Sequence, residues 1–424
     1  MRGVYVLLLI SLFGYAGRVG GQESVTITQC YEWARANYPQ IHQMGLIDQT
    51  ERYSLSNVGK AWLPQLSVSG KASYQSDVTK LPFDGDKISS LLPGFEIPSL
   101  SKDQYQVVAQ VDQTIWDGGS ARSARAEATA NREQLESELY ALNDRVNQLY
   151  FGCLLQDELI RQNALLQKEL QVNIERIEAM MENGVANQSD LESMEVELLN
   201  ARQNEIELKA SRTVYRQMLA TFINKPLTDQ VVLKTPESPE RSLSTQINRP
   251  ELRALDAKSE WIETQNKQVT AGLMPRIGAF VQGGYGRPGL NMLEDSFEPY
   301  YVAGVRLSWN LGKLYTLKND RRKIEVSRRQ IDVQRETFLF NTRLQLLRQN
   351  TEIKKMTDLM RADDDIIRLR TSIKQAAEVK LENGVISVTD LIREINAEDM
   401  ARQTAAAHRV QRLMTIYNYM YTTN

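Results

Sequence analysis

Glu182-Asn183-Gly184-Val185, followed by Asp190-Leu191, returns two hundred residues later as Glu382-Asn383-Gly384-Val385, followed at the same spacing by Asp390-Leu391. Each copy interrupts a long helix-compatible stretch. Asn-Gly supplies the left-handed residue on which a helix ends. Asn187 and Ser387 then suit the N-cap of a returning helix, with Asp190 and Asp390 at N3 completing a capping box. Any helical hairpin needs such caps, so the tips read first as structure. Their recurrence far apart in one chain is the informative point.

Working outward from the tips, the flanks are helical and long. Between Ser120 and Asn183 there is no proline and a single glycine, Gly152. Leu135, Leu139, Leu142, Val146, Leu149 and Cys153 step by four and three, and Ile160, Leu170, Ile174, Ile177 and Met181 continue the seam, a heptad pattern. About 64 residues make a rod of roughly 95 Å. Beyond the tip, Val185 to Lys225 holds neither glycine nor proline, and Leu191, Met194, Leu198 and Ala201 keep the spacing. Past Gly312 there is no proline and only Gly384 among glycines, so a second rod of about 70 residues, roughly 105 Å, is expected.

Ahead of each rod lie two alternating segments. In the first, Leu66, Val68, Gly70, Ala72 and Tyr74 oppose Gln65, Ser67, Ser69, Lys71 and Ser73. In the second, Tyr105, Val107, Ala109, Val111 and Ile115 oppose Gln104, Gln106, Gln110, Asp112 and Thr114. The third alternates Ile277, Ala279, Val281 and Tyr285 with Arg276, Gly278 and Gln282, although Phe280 interrupts the polar side. The fourth alternates Tyr301, Ala303, Val305, Leu307, Trp309 and Leu311 with Arg306, Ser308 and Asn310. Period two with one apolar and one polar face marks a strand. Loops are expected at about Asp77 to Asp103 and Gly286 to Pro299. A helix is expected from Thr28 to about Lys60, disturbed at Pro39.

The order repeats. Asn248-Arg249-Pro250 lies 211 residues after Asn37-Tyr38-Pro39, and Pro275 lies 211 after Pro64. The chain of 424 residues therefore divides into a secretory signal peptide (1–22), a first repeat (23–225, tip at 182–191), a linker marked by Pro226, Pro236 and Pro239 (226–248) and a second repeat (249–424, tip at 382–391). The signal reading rests on Arg2, the apolar run Val4 to Phe13 and the small residues that follow.

Composition narrows the functions. A net charge of −2 gives no nucleic-acid signature. His42 and His408 form no metal or catalytic cluster, and no nucleophile motif or phosphate loop occurs, so neither an enzyme nor a cofactor is expected. Cys30 and Cys153 form no motif and suit helices as small apolar residues. Asp363-Asp364-Asp365, Arg321-Arg322 and Arg328-Arg329 read as solvated helix faces. No later stretch has eighteen apolar residues. Four amphipathic strands of about ten to twelve residues nonetheless suit a bilayer crossing. Four cannot close a barrel, and open edges are not tolerated in lipid, so several chains must pool theirs. The polar face, with Lys71, Asp112 and Arg306, would line a lumen. Trp62, Tyr74, Tyr105, Tyr285, Tyr301 and Trp309 near strand ends fit an interfacial girdle as well as plain packing. A pore-free periplasmic coiled-coil scaffold would explain the rods but not the strands.

The sequence resembles the TolC-like outer-membrane efflux protein family. The resemblance is carried by Asn37-Tyr38-Pro39, Trp62-Leu63-Pro64-Gln65, Gln113-Thr114-Ile115-Trp116-Asp117-Gly118-Gly119, Arg249-Pro250-Glu251-Leu252 and the two Asn-Gly-Val tips, in order and in duplicate. It implies a mainly α fold with a membrane β-barrel portion: a homotrimer whose twelve strands form one barrel in outer-membrane lipid, continued by an α-helical barrel in the periplasm. It also implies an exit duct for a tripartite efflux pump, or for type I protein secretion. The implied partners are a periplasmic adaptor and an inner-membrane transporter of RND or ABC type. The tips, Asn183, Gly184, Val185, Asn383, Gly384 and Val385, become candidates for adaptor docking. In the family, acidic side chains just past the second tip form a constricted ring. Asp390 matches the first such position, whereas the next acid is replaced here by Arg393. The pair is thus a candidate periplasmic gate, linked within one helix or between chains.

Overall fold

Thr26 starts the first helix. Its hydroxyl accepts the Gln29 N–H at 3.3 Å, and the Gln29 side-chain oxygen accepts the Thr26 N–H at 2.9 Å. In the computed structural model, which describes residues 24–60, 62–79, 100–114, 120–238, 245–292 and 294–424, this helix is α1 (Ile27–Asn37). It stops where Tyr38, ahead of Pro39, takes an extended conformation (φ −67°, ψ 129°). A 3-10 turn over Pro39–Ile41 leads into α2 (His42–Lys60). The expected helix is therefore two helices, parted at the proline.

The remaining elements follow in order. They are β2 (Gln65–Tyr74), β3 (Asp103–Thr114), α3 (Ser120–Tyr140), α4 (Leu142–Glu182), α5 (Gln188–Ile223), β4 (Val232–Leu233), α6 (Pro250–Ala271), β5 (Arg276–Arg287), β6 (Glu298–Ser308), α7 (Lys313–Glu382) and α8 (Val388–Thr423), with β1 (Ser24–Val25) ahead of α1. The chain is mainly helical, and α7 alone has 70 residues, about 105 Å of helix. Among the described residues no helix is long and apolar enough to cross a membrane.

Some expected boundaries move. The first rod is interrupted at Ala141, which keeps right-handed angles (φ −61°, ψ −18°), so the hydrogen-bond ladder loosens without turning. The third strand runs on to Arg287 and the fourth starts at Glu298, which shortens the connection between them. Trp309 and Leu311 fall outside β6; the Trp309 indole donates instead to the Leu273 carbonyl at 2.9 Å. The signal segment, most of the loop after Asp77 and Ile115 to Gly119 lie outside the described residues.

The chain forms two units. The first comprises residues to Ile41, Glu138–Arg249 and Leu339–Asn424. Its helices α1, α4, α5 and α8 enclose one core around Cys30, Ala34, Val146, Tyr150, Phe151, Cys153, Leu219 and Ile223. The Tyr150 hydroxyl lies 2.9 and 2.6 Å from the carbonyls of Val25 and Lys234, fastening the parallel pair β1–β4 to α4. Cys30 and Cys153 are free thiols inside this core, and burial pushes both pKa values up to about 12. They act as packing, because the thiolate is the reactive form. A second core holds the helix ends at the tips. Leu170, Ile174 and Ile177 of α4 meet Met194 and Leu198 of α5, Leu381 of α7, and Leu391 and Ile395 of α8. Most heptad positions read from the sequence are buried, while Ile160, Met181 and Leu191 are half-buried.

The second unit comprises His42–Ser137 and Pro250–Phe338. Arg132 of α3 bridges Asp48 at 2.7 Å and Glu51 of α2, and Arg328 of α7 reaches Glu263 of α6 at 3.0 Å. Ile262 of α6 packs with Ile324 and Ile331 of α7. The four long strands form one antiparallel sheet in the order β2-β3-β5-β6, with β2 and β6 at its edges.

Candidate functional site

Both tips, in the first unit, are built by the same local chemistry. Gly184 (φ 72°) and Gly384 (φ 68°) take the left-handed conformation that other residues resist. The Gly184 N–H donates to the Met181 carbonyl at 2.9 Å, and the Val185 N–H to that of Met180 at 2.9 Å. At the second tip the corresponding donors are Gly384 to Leu381 and Val385 to Lys380, both 2.8 Å. This double bond pattern is the Schellman closure of a helix. Asn183 and Asn383 each donate a side-chain N–H to the carbonyl four residues back, at 2.8 and 2.7 Å. The outgoing helices carry the expected capping boxes, Asn187 with Asp190 and Ser387 with Asp390. Asn183 to Val185 and Asn383 to Val385 are exposed.

Asp390 and Arg393 come together within the chain, with Arg393 Nη2 3.5 Å from Asp390 Oδ1. Arg393 is shared: its Nε lies 3.4 Å from Glu394, which also lies 3.4 Å from Arg370 of α7. Asp390 has a second bond, accepting the Ser387 hydroxyl at 2.8 Å. That bond, the Ser387 N–H and Arg393 hold its carboxyl below the usual range.

Above the tip lies a buried ionic network that periodicity did not announce. Lys374 of α7 meets Glu169 of α4 and, at 2.7 Å, Glu398 of α8. Glu398 also accepts from Thr371 and Arg402, both at 2.5 Å. Burial opposes charge on Lys374 and Glu398, but their hydrogen bonds outweigh it, raising the lysine and lowering the glutamate. Next to them, burial lifts Asp399 to about 6. A readable signal existed: Leu391, Ile395, Glu398, Arg402 and Ala405 step by four and three, so two charges occupy seam positions. Asp363 corrects the reading of its triplet as a wholly solvated face. It is buried and lies 2.7 Å from His408 Nδ1, while Asp364 and Asp365 are exposed. The periodicity of α7 places one residue in three or four against α8, and Asp363 is the one that falls there.

In the second unit, register sorts the sheet into two faces. Leu66, Val111, Val281 and Ala303 stand in one cross-strand row, and Val68, Ala109, Gly283 and Tyr301 in the next on that side. This apolar face is bare: Leu66 is 70% exposed, Val281 56% and Val305 74%. The other face carries Gln65, Asp112 and Phe280 in one row and Ser67, Gln110 and Gln282 in another. Lys71, Asp112 and Arg306 all stand on this side. Arg306 lies 3.7 Å from Asp112, whereas Lys71 pairs across the strands with Gln106 and does not join them. Phe280, the exception in the polar pattern, lies 4.7 Å under the Arg306 guanidinium and covers Gly304. Tyr300 likewise covers Gly284 and bonds Gln106. The aromatic residues near the strand ends, Trp62, Tyr74, Tyr105, Tyr285, Tyr301 and Trp309, are all exposed.

Residues 30–225 match the family model described as outer membrane efflux protein. Over that stretch, just under half of the 424 residues, the chain is similar to outer membrane efflux proteins. Solved structures agree over nearly the full length. CusC is 15% identical, with 94% of this chain and 92% of that chain covered and a TM-score of 0.66. VceC of Vibrio cholerae is 13% identical, with 93% and 95% covered and a TM-score of 0.62. The MtrE outer membrane channel of Neisseria gonorrhoeae, solved in its open state, is 14% identical, with 94% and 88% covered and a TM-score of 0.65. No curated protein sequence matches the chain.

Proposed function

We propose that three copies of this chain pool their strands into a twelve-stranded barrel in the outer membrane and conduct small molecules outward, as the exit duct of a tripartite efflux pump. The observation that carries the reading is the sheet: four strands, one bare apolar face, one polar face and two free edges. A lipid-facing barrel needs the first, an aqueous lumen the second, and closure through neighbouring copies the third. Lys71, Asp112 and Arg306 then line the lumen. The exposed tips at Asn183 to Val185 and Asn383 to Val385 are the docking points for a periplasmic adaptor, which joins the duct to an inner-membrane transporter of RND or ABC type. Residues 1–22 act as the signal peptide, and the two repeats supply equal shares of strand and helix.

Asp390 and Arg393 form the resting gate in this reading, with Asp390 also capping its helix. The test is electrical. Purified mature protein should form three-fold particles in detergent and give conductance steps in planar bilayers. Asp390→Asn and Arg393→Ala, singly and together, should raise resting conductance. A monodisperse monomer without conductance sinks the duct; a conducting trimer indifferent to all three variants sinks only the gate.

A further inference from the structure

At the start of β5 and α7 the second unit holds a cleft of about 460 Å³ with an uneven charge balance. Arg276 and Lys313 both line it, with Ser308, Asn310 and Trp309, and no carboxylate does. Among the described residues, neither basic side chain has a hydrogen-bond or ion-pair partner. This sets them apart from most of the arginines around them: Arg306, Arg328, Arg329 and Arg335 each hold an acid. The adjoining cleft of about 500 Å³ between α6 and α7 shares Lys313, but there Lys323 is accompanied by Asp320.

Two cations facing one cleft repel each other, and an anion between them removes the repulsion. The donors suit an oxyanion. Arginine offers a planar fork that matches two oxygens of a phosphate, lysine a mobile point charge, and a hydroxyl and an amide complete the set. The ammonium of Lys313 lies against Gly272, 2.8 Å from where a Cβ would stand. The first-turn N–H groups of α7 are not the attraction, since those of Lys313, Leu314 and Tyr315 already donate to Asn310, Leu311 and Gly312. The C-terminus of α6 accounts for Lys313 beside Gly272 but not for Arg276, which comes from the strand beyond.

We propose that Arg276 and Lys313 form a binding site for a phosphate-type oxyanion, either free or as the headgroup of an anionic lipid. The site stands on the cleft itself and does not depend on the conduit reading.

Full-length mature protein in a zwitterionic detergent is titrated with inorganic phosphate by calorimetry. In parallel it is placed in mixed phosphatidylcholine micelles with and without phosphatidylglycerol, and retained lipids are counted by native mass spectrometry. Arg276→Gln and Lys313→Gln should each weaken binding about tenfold, and together abolish it. Lys318→Gln, on α7 but outside the cleft, should change nothing. Circular dichroism of each variant checks the fold. Phosphate binding that disappears in the double variant supports the site and a free oxyanion as its ligand. Selective phosphatidylglycerol retention without phosphate binding, lost in the same variant, supports the site and a headgroup. Binding of neither probe, or binding that survives the double variant, overturns it. Conductance of the same preparations reports on the duct separately, so a conducting protein that binds neither probe loses the site alone.

Discussion

Asp399 holds its proton about two pH units longer than an ordinary aspartate, because burial lifts its pKa to about 6. Its neighbours divide: Gln403 and Arg402 favour the charged form, Glu169 and Glu398 oppose it. The folded state thus binds more protons than the unfolded one between about pH 4 and pH 6. The contribution of this group to stability falls as pH rises through that window. Glu398, whose pKa is lowered, acts with the opposite sign and loses its contribution as pH falls through its folded value. Asp399→Asn should therefore raise the melting temperature at pH 7 more than at pH 5; equal shifts would refute the assignment. Lys374→Met removes one of the two cations on Glu398, whose side chain is 3% exposed, leaves Arg402 and Thr371 in place, and should cost about 2 kcal/mol. Arg361→Ala, at a pair exposed on both sides, should cost less than about 1 kcal/mol. Urea unfolding followed by circular dichroism separates the two.

At the scale of the element, each tip depends on one backbone conformation more than on any side chain. Gly384 has open space around its missing Cβ, so a substitution there meets strain and no clash. Gly384→Ala should destabilise by about 1 kcal/mol, and Gly384→Asn by less, since asparagine tolerates left-handed angles. Equal melting temperatures for the two variants would mean that the tip relaxes. In the sheet the glycines are sites of close approach. A Cβ at Gly284 would run into the Tyr300 ring. Gly284→Ala should evict Tyr300 from Gln106 and lower the melting temperature followed by circular dichroism.

Across the whole molecule, the decisive property is the inversion of burial between the units. The helical unit encloses cores around Leu170, Leu219 and Leu391, while the sheet bares one apolar face. Adjacent residues of β5 test whether lipid covers that face. Val281→Lys places a charge on it and should cost about 2–4 kcal/mol near the bilayer midplane, with a loss of assembled protein in the outer membrane. Gln282→Lys, one residue on but on the polar face, should assemble normally. Equal assembly of both would remove the barrel reading.

Periodicity, caps and turn chemistry are local, so the sequence by itself determined the helices, the four strands with their faces, and both tips with their capping boxes. Pro39 showed where the first helix would be disturbed, because a missing N–H and a constrained predecessor act within a few residues. The break at Ala141 has no such marker. Asp390 and Arg393 were legible as a pair because i, i+3 neighbours on a helix always face each other. Only the tertiary structure decided the rest, where partners are far apart in the chain. It joined Lys374 to Glu169 and Glu398, drew Asp363 under His408, laid Arg306 over Phe280 and left Arg276 and Lys313 facing one cleft. Strand order and helix packing set those meetings, and neither is written in any single stretch of residues.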